Sequence, residues 1–244
     1  MSDTVRVYQD GDGTNYFSVT TFIGKLMPFD NRKWYSICNY MGWDPEQIRE
    51  VSTTLGTRYH AYFENRRWFD RREVELFGEK VEATEYDFVA SPLDIRYLRM
   101  ANEFFDRGWE IIESEVKVVN TDLFYAGRFD MIMRNEKLGV ERALGDVKTW
   151  GAWKESITGK APSGFEVKED KLKKLTVQLN MYRRALGERI PMYGIVPDPL
   201  GELRVFEVVE DETWLDEVAE ARLEILKDIE EGTVVVNYEM LEAI

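Results

Sequence analysis

Two carboxylates and a lysine lie on two short apolar runs that a polar turn separates. Asp130 lies in the first run, and Asp146 and Lys148 lie in the second. Side chains alternate between the two faces of a β-strand, so Asp146 and Lys148 share a face and Val147 takes the other. If the runs pair as a hairpin, all three charged groups converge at one end of a sheet. Carboxylates suit Mg²⁺ or Mn²⁺ and an ammonium group suits a phosphate, so the pattern predicts a metal-dependent phosphodiesterase site.

An exposed hairpin with ordinary surface charges is the alternative, because an Asp-x-Lys pattern is common in a chain with 32% charged residues. The apolar neighbours of Asp130, from Phe129 to Met133, favour burial instead. A buried charge is costly unless it is paired or bound to a metal.

The chain has a single histidine, His60, which lies among aromatic residues. Histidine is the commonest metal-binding side chain, although one in such surroundings is more often structural. Glu64 follows one helical turn later, where it could orient the imidazole or add a ligand.

Gln178 and Tyr182 are four residues apart in a strongly predicted helix, so they share a face. Both side chains can form hydrogen bonds with phosphate oxygens or bases. The alternative is that they are ordinary surface residues of an amphipathic helix.

The segment from Lys148 to Arg184 holds nine basic and four acidic residues, a net charge of +5 in a chain of net charge −14. Tryptophans within it could stack on bases. A solvated helix face would account for some of these lysines. The candidate nucleic-acid contacts are Arg58, Arg128, Thr149, Trp150, Trp153, Lys154, Lys171 and Lys174.

The pattern of apolar residues and turns predicts helices and strands around this segment. After a strand and turn over residues 1–17, the predicted helices are Thr21–Met27 (capped by Ser18 or Thr20), Arg32–Met41, Glu46–Phe69, Ser91 to about Gly108, Asp170–Leu186 and Glu210–Ile229. The predicted strands are Trp109–Val119, Phe124–Met133, Val140–Thr149, Met192–Val196 and Leu203–Val208. Residues 70–90 are predicted as an excursion or a short helix and loop, residues 150–168 as irregular, and the last dozen as a small terminal element.

Gly56, within the third helix, predicts either a break at Thr54–Thr57 or a close approach by another segment. The order of elements predicts an α/β fold with a mixed central sheet flanked by helices. We expect one domain over residues 1–244: a mainly helical part (1–108), a sheet core with the motif helix (109–209), and an acidic helix and tail (210–244).

Composition narrows the function classes. An apolar fraction of 44% indicates a folded globule. The single cysteine, Cys38, is expected to be buried, and alone it cannot form a disulfide, a zinc knuckle or a four-cysteine iron–sulfur cluster within the chain. Without a signal peptide or apolar membrane span, a cytoplasmic protein is expected. The net charge of −14 argues against a protein that coats nucleic acid, but not against a local basic groove.

Five motifs in order resemble the PD-(D/E)XK nuclease superfamily. They are Gly56-Thr57-x-x-His60, Glu115, Gly127-x-x-Asp130, Asp146-x-Lys148 and Gln178-x-x-x-Tyr182. More narrowly, residues 18–186 resemble the RecB-like branch, which includes mitochondrial genome maintenance exonucleases and phage exonucleases. Ser18–Thr21 and the segment around Trp34 resemble that branch too. The proline that names the superfamily is replaced by Phe129.

The resemblance implies a restriction-endonuclease-like fold and a site that binds Mg²⁺ or Mn²⁺. It implies that the ligands are His60, Asp130, Asp146 and the Val147 carbonyl, and that Lys148 positions the water or stabilises charge. Glu115 would either bind a second metal or contact the metal ligands without binding the metal itself. Glu113 and Glu64 are the other candidates for this role. Gln178 and Tyr182 would lie near the bound strand.

The implied function is a DNA exonuclease acting on single strands or strand ends. A phage-encoded enzyme that acts in the host cytoplasm is one form that this function takes in the family. A structure-specific endonuclease for flaps or junctions is the first alternative. The second is a non-catalytic nucleic-acid-binding module with the same fold.

Overall fold

The computed structural model describes residues 4–66, 72–76, 79–83, 92–151, 154, 158 and 166–241, with side chains described at 4–63, 96–151, 154, 158 and 166–241. The strands are β1 (Thr4–Gln9), β2 (Asn15–Ser18), β3 (Arg72–Leu76), β4 (Glu79–Ala83), β5 (Glu110–Asn120), β6 (Tyr125–Asn135), β7 (Val140–Val147), β8 (Met192–Pro197), β9 (Leu203–Val208) and β10 (Val235–Met240). The helices are α1 (Val19–Leu26), α2 (Asn31–Met41), α3 (Pro45–Arg66), α4 (Pro92–Asp106), α5 (Glu169–Leu186) and α6 (Leu215–Glu230), and a 3₁₀ turn covers Glu136–Leu138.

Eight of the strands form one mixed sheet in the order β10-β1-β2-β6-β7-β8-β9, and β5 pairs with β6. The pairs β1–β10, β2–β6 and β7–β8 are parallel, while the remaining neighbours are antiparallel. Helices flank the sheet, so the predicted mixed α/β fold is confirmed.

The central strand β6 has a fork along one edge. β5 pairs along its other edge, from Tyr125 to Arg134. On the forked edge, β2 pairs with Tyr125 and Ala126, whereas β7 pairs only from Met131 onward. Residues 127–130 therefore lie where the two neighbours diverge, and a side chain from this stretch can reach the ends of both.

Two apolar cores cover the two faces of the sheet. One packs α1, α5 and α6 against strand residues such as Val7, Phe129 and Leu144. The other packs α3 and α4 against residues such as Met131 and Val147. We call these the α5 face and the α3 face.

Local sequence signals set several helix ends. Ser18 caps α1, because its Oγ accepts a hydrogen bond from the Thr21 amide. Gly42 ends α2 in the left-handed conformation that glycine tolerates, at a φ of 67°. Cys38 is fully buried, as predicted. None of the helices among the described residues is long and apolar enough to cross a membrane.

Three predicted elements differ in the structure. The alternative of a helix break at Thr54–Thr57 is wrong, because α3 runs unbroken to Arg66; residues 67–69, the predicted end of this helix, lie outside the described residues. The predicted helix within 70–90 is also wrong where the structure describes it, because β3 and β4 form an antiparallel hairpin with Val74 opposite Val81.

The third difference is that α6 begins at Leu215 instead of Glu210. The preceding residues are held as a turn against α5. The Asp211 amide donates to Asn180 Oδ1 at 3.0 Å, and the Trp214 indole donates to the Asp211 carbonyl.

Candidate active site

Asp130 lies at the fork and forms a hydrogen bond with β7 beyond the point where β7 pairs with β6. The β6–β7 ladder begins at the pair Met131–Gly145, so Val147 has no partner on β6. Instead, Asp130 Oδ2 accepts a hydrogen bond from the Val147 amide at 2.6 Å. The carboxylate thus takes the place of a backbone acceptor and fixes the position of Asp146 and Lys148 relative to β6.

The second oxygen of Asp130 faces α3. His60 Nδ1 lies 3.2 Å from Asp130 Oδ1, and about a third of the imidazole is exposed. Burial favours the neutral forms of both groups, but their mutual attraction outweighs it: the pKa of His60 is raised and the pKa of Asp130 is lowered. The predicted convergence of His60 on Asp130 is therefore present.

Asp146 and Lys148 form an ion pair beside this contact. Lys148 Nζ lies 2.5 Å from Asp146 Oδ2, and the aspartate is 2% exposed. Apart from this pair with Lys148, Oδ2 has no hydrogen-bond partner among the described residues. Burial raises the pKa of Asp146 to about 6, against the opposing effect of Lys148. The pKa of Lys148 is raised, because attraction to Asp146 and Asp130 outweighs the effect of burial.

Glu115 completes a group of possible metal ligands with His60 and Asp130. One ligand atom from each residue lies within 4.8 Å of the others. Among the described residues, neither Glu113 nor Asp146 belongs to this group. The structure therefore brings Glu115 to the site in preference to Glu113, and places Asp146 beside the group through its pair with Lys148.

The backbone explains how Glu115 reaches the site. Phe129 lies in the core of the α5 face and Met131 in that of the α3 face, although residues two apart in a regular strand share a face. Alternation thus slips at Asp130. The register of β5 and β6 places Glu115 opposite Asp130, and Glu115 has a positive φ of 54°. Arg128 Nε also contacts Glu115 Oε2 at 2.5 Å.

The motif helix α5 packs directly on the fork. A Cβ atom at Gly127 would lie 2.7 Å from Tyr182 Cε1 and 3.2 Å from Val19 Cγ2, so only glycine fits there without a shift. Gln178 Nε2 donates to the Tyr182 hydroxyl at 3.2 Å, which confirms that the two share a helix face. Tyr182 is 2% exposed, so its ring is a packing element of the site.

Helix α3 approaches the end of β7 closely. A Cβ atom at Gly56 would lie 3.4 Å from Thr149 Oγ1. This contact favours the second interpretation of Gly56, a close approach by another segment. It also ties the helix that carries His60 to the strand end that carries Lys148.

The predicted nucleic-acid contacts fall into separate places. Arg128 lies on β6 and Arg58 on α3, whereas Lys171 and Lys174 lie on α5. The Lys171 ammonium lies 5.7 Å from the centre of the Trp150 ring, and burial and the neighbouring Lys168 lower its pKa. Lys154 is exposed. Trp153 and the side chain of Glu64 lie outside the described residues.

The residues fit a hard divalent cation. Carboxylates with one imidazole form a donor set that suits Mg²⁺ or Mn²⁺. Whether the Val147 carbonyl joins the ligands stays a prediction.

Sequence analysis did not single out several residues that line a groove next to the fork. This groove has a volume of about 300 Å³ and includes Arg6, Tyr8 and Lys117 among its lining residues. The alternating polar residues of β1 carry a signal for an open strand face. Their proximity to Asp130 depends on strand pairing that the sequence does not indicate.

Comparison with solved structures gives only weak likenesses of fold, of which one is described here. The chain is similar to the crystal structure of an alkaline exonuclease (LHK-Exo) from Laribacter hongkongensis, at 14% identity and a TM-score of 0.34. The match covers 55% of this chain and 63% of that one, less than two thirds of its length. No protein-family model and no curated protein matches the chain.

Proposed function

We propose that this protein is a metal-dependent nuclease that hydrolyses the phosphodiester bonds of DNA. One observation carries the proposal: His60, Glu115 and Asp130 gather at a strand fork where Asp130 also fixes the segment bearing Asp146 and Lys148. We further propose that it belongs with the RecB-like branch that its ordered motifs resemble.

His60, Asp130 and Asp146 would hold Mg²⁺ or Mn²⁺, with Glu115 as a further ligand or the ligand of a second ion. When bound, such a cation polarises the phosphoryl oxygen and makes water nucleophilic at neutral pH. The protein's own residues must position the phosphate and stabilise its negative charge.

Lys148 is the group suited to balance that charge. Its side chain is a quarter exposed, so it can meet solvent or substrate while Asp146 holds it in place. Its raised pKa keeps it cationic at neutral pH. It would stabilise negative charge that develops on the phosphate, or orient the attacking water.

Gln178 and Tyr182 would help to position the residues of the fork. The hydrogen bond between them and the packing of Tyr182 on Gly127 support a role in fixing the fork. The amide of Gln178, which is half-buried, is the more suitable of the two for contact with a bound strand. Arg58, Arg128, Thr149, Trp150, Lys154, Lys171 and Lys174 remain the proposed nucleic-acid contacts.

The proposed mode of action is exonucleolytic, on single strands or strand ends. A covalently closed single-stranded circle and the linear strand of the same sequence separate this mode from an endonuclease. With Mg²⁺ or Mn²⁺, we expect degradation of the linear strand and an intact circle. Cleavage of the circle would show that the protein acts as an endonuclease, and the proposed metal site would still stand.

A further inference from the structure

We infer that the open part of the α3 face, lined by Arg6, Lys117 and Arg128, binds the backbone of a single DNA strand and leads it to the fork. This inference rests on the proposed function and adds the path of the substrate. It assigns Arg6 and Lys117, which the sequence did not single out, as phosphate contacts.

Strand register places the groove residues on one face. Residues opposite each other in a sheet share a face, as do residues two apart in a strand. Tyr8 pairs with Tyr16, Ser18 with Ala126, and Arg128 with Lys117. Arg6, Tyr8, Ser18, Ala126, Arg128 and Lys117 thus share a face, while their alternating neighbours Val7, Phe17 and Val118 lie in the core of the α5 face.

Helices α3 and α4 cover only the other part of this face. Their apolar residues pack on the second half of β6 and on β7, β8 and β9. Over β1, β2 and the first half of β6, the face instead carries a groove of about 300 Å³. Within the described part of the chain, α3 and α4 thus leave this groove uncovered.

The charges of the groove suit a polyanion. Arg6, Lys117 and Arg128 contribute three cations and Glu239 one anion to its lining, in a protein whose net charge is −14. Arg6 contacts Glu239 at 3.0 Å and Arg128 contacts Glu115 at 2.5 Å, and half or more of each arginine side chain is exposed. Exposed pairs of this kind are weak, so a phosphate can compete for these guanidinium groups.

Distances within the sheet fit a strand that continues from the groove to the site. Arg128 precedes Asp130 by two residues, which is about 7 Å along a β-strand. Arg6 lies on β1, two strands away from β6, which is about 10 Å across the sheet. Arg128 and Lys117, which lie opposite each other, are thus the cations of the groove nearer to Asp130, and Arg6 lies farther away.

A single strand fits this groove better than a duplex. The half-buried Tyr8 and the exposed Met240 line it beside the cations. Aromatic and apolar side chains bind unpaired bases by stacking, which the paired bases inside a duplex do not offer.

The test is the salt dependence of binding of a labelled 12-nucleotide single strand, by fluorescence anisotropy in Ca²⁺, with the strand checked on a gel for intactness. The variants are Arg6→Gln and Lys117→Gln. Lys227→Gln, an exposed lysine on α6, is the matched control, because α6 packs on the opposite face of the sheet. Thermal melts check that all of the variants fold.

We expect each groove variant to reduce the slope of log K against log salt by about 0.7, the value for one phosphate contact with a single strand. This corresponds to about fivefold weaker binding at 0.1 M salt. The control should match the wild type.

Slopes of Arg6→Gln and Lys117→Gln that equal the wild-type slope would overturn the inference, as would a wild type that binds no single strand at low salt or binds a duplex of the same sequence equally well. Cleavage by the wild type with unaffected groove variants would leave the proposed function intact. Groove-dependent binding without cleavage would instead overturn the function and keep the groove.

Discussion

Asp130 Oδ2 and the Val147 amide are joined by a hydrogen bond of 2.6 Å at the point where β6 and β7 part. A side chain that is a candidate metal ligand thus also closes the sheet. Its structural role depends on an acceptor oxygen, whereas its proposed chemical role depends on negative charge. The two roles can be separated by substitution.

Asp130→Asn should keep the fold and lose activity, because asparagine retains an acceptor oxygen but no charge. Asp130→Ala should cost about 1–3 kcal/mol of stability in addition, since it leaves the buried Val147 amide without a partner. Denaturant unfolding and cleavage assays of both variants check this. Equal stability of the two variants would contradict the structural role of the carboxylate.

Gly127→Ala should destabilise the protein by about 1–3 kcal/mol, because the added methyl group would lie 2.7 Å from Tyr182 Cε1. Gly24→Ala is the matched control: nothing lies within 4 Å of its Cβ position in α1, and alanine favours a helix. In a double-mutant cycle, Tyr182→Ala should relieve much of the cost of Gly127→Ala. Additive effects in the cycle would show that the contact is not the cause.

Asp146→Asn should stabilise the metal-free protein at pH 8. Burial raises the native pKa of Asp146 from its ordinary 3.8 to about 6, so the native state binds this proton more tightly than the unfolded chain. The carboxylate therefore destabilises the native state fully above about pH 6, and this cost disappears as the pH falls below about 4.

The expected gain from Asp146→Asn is at least about 1 kcal/mol, since a pKa raised by one unit corresponds to about 1.4 kcal/mol and the attraction of Lys148 is already included in the raised pKa. Melting curves in EDTA at pH 8 and pH 4 measure it. A variant that is less stable than the wild type at pH 8 would contradict the raised pKa.

Glu115→Gln should weaken Mn²⁺ binding about tenfold or more, because the Glu115 carboxylate lies with His60 and Asp130 in the candidate group. Glu113→Gln should leave the affinity unchanged, since this exposed neighbour is not in the group. Calorimetric titration of the metal-free proteins compares the two. A larger loss for Glu113→Gln would reverse the assignment.

Much of the fold could be predicted where the signal is local. Ser18 caps α1 through its hydroxyl, and Gly42 ends α2 because glycine tolerates a left-handed conformation. The alternation of Asp146, Val147 and Lys148 correctly predicts a buried valine and a charged pair on the opposite face. Each of these features depends only on residues within one strand or near one helix end.

The features that could not be predicted depend on distant contacts. The approach of Thr149 to Gly56 joins segments far apart in the chain, and the late start of α6 involves a hydrogen bond to Asn180. Strand β10 joins the sheet by parallel pairing with β1, from the opposite end of the chain. Pairing of β1 with β2 and of β2 with β6 brings Arg6 near Arg128, and the sequence indicates neither pairing.

Incubation of end-labelled linear single-stranded DNA with the wild type and with Lys148→Ala, in Mg²⁺ or Mn²⁺, tests the central claim most directly. Lys227→Ala is the control for loss of a lysine away from the site, and melting curves confirm that each variant folds. We expect the wild type and Lys227→Ala to degrade the strand, EDTA to stop them, and Lys148→Ala to lose at least a hundredfold in rate. Absence of cleavage by the wild type above the level of Lys148→Ala with either metal would contradict the proposal that this protein is a nuclease.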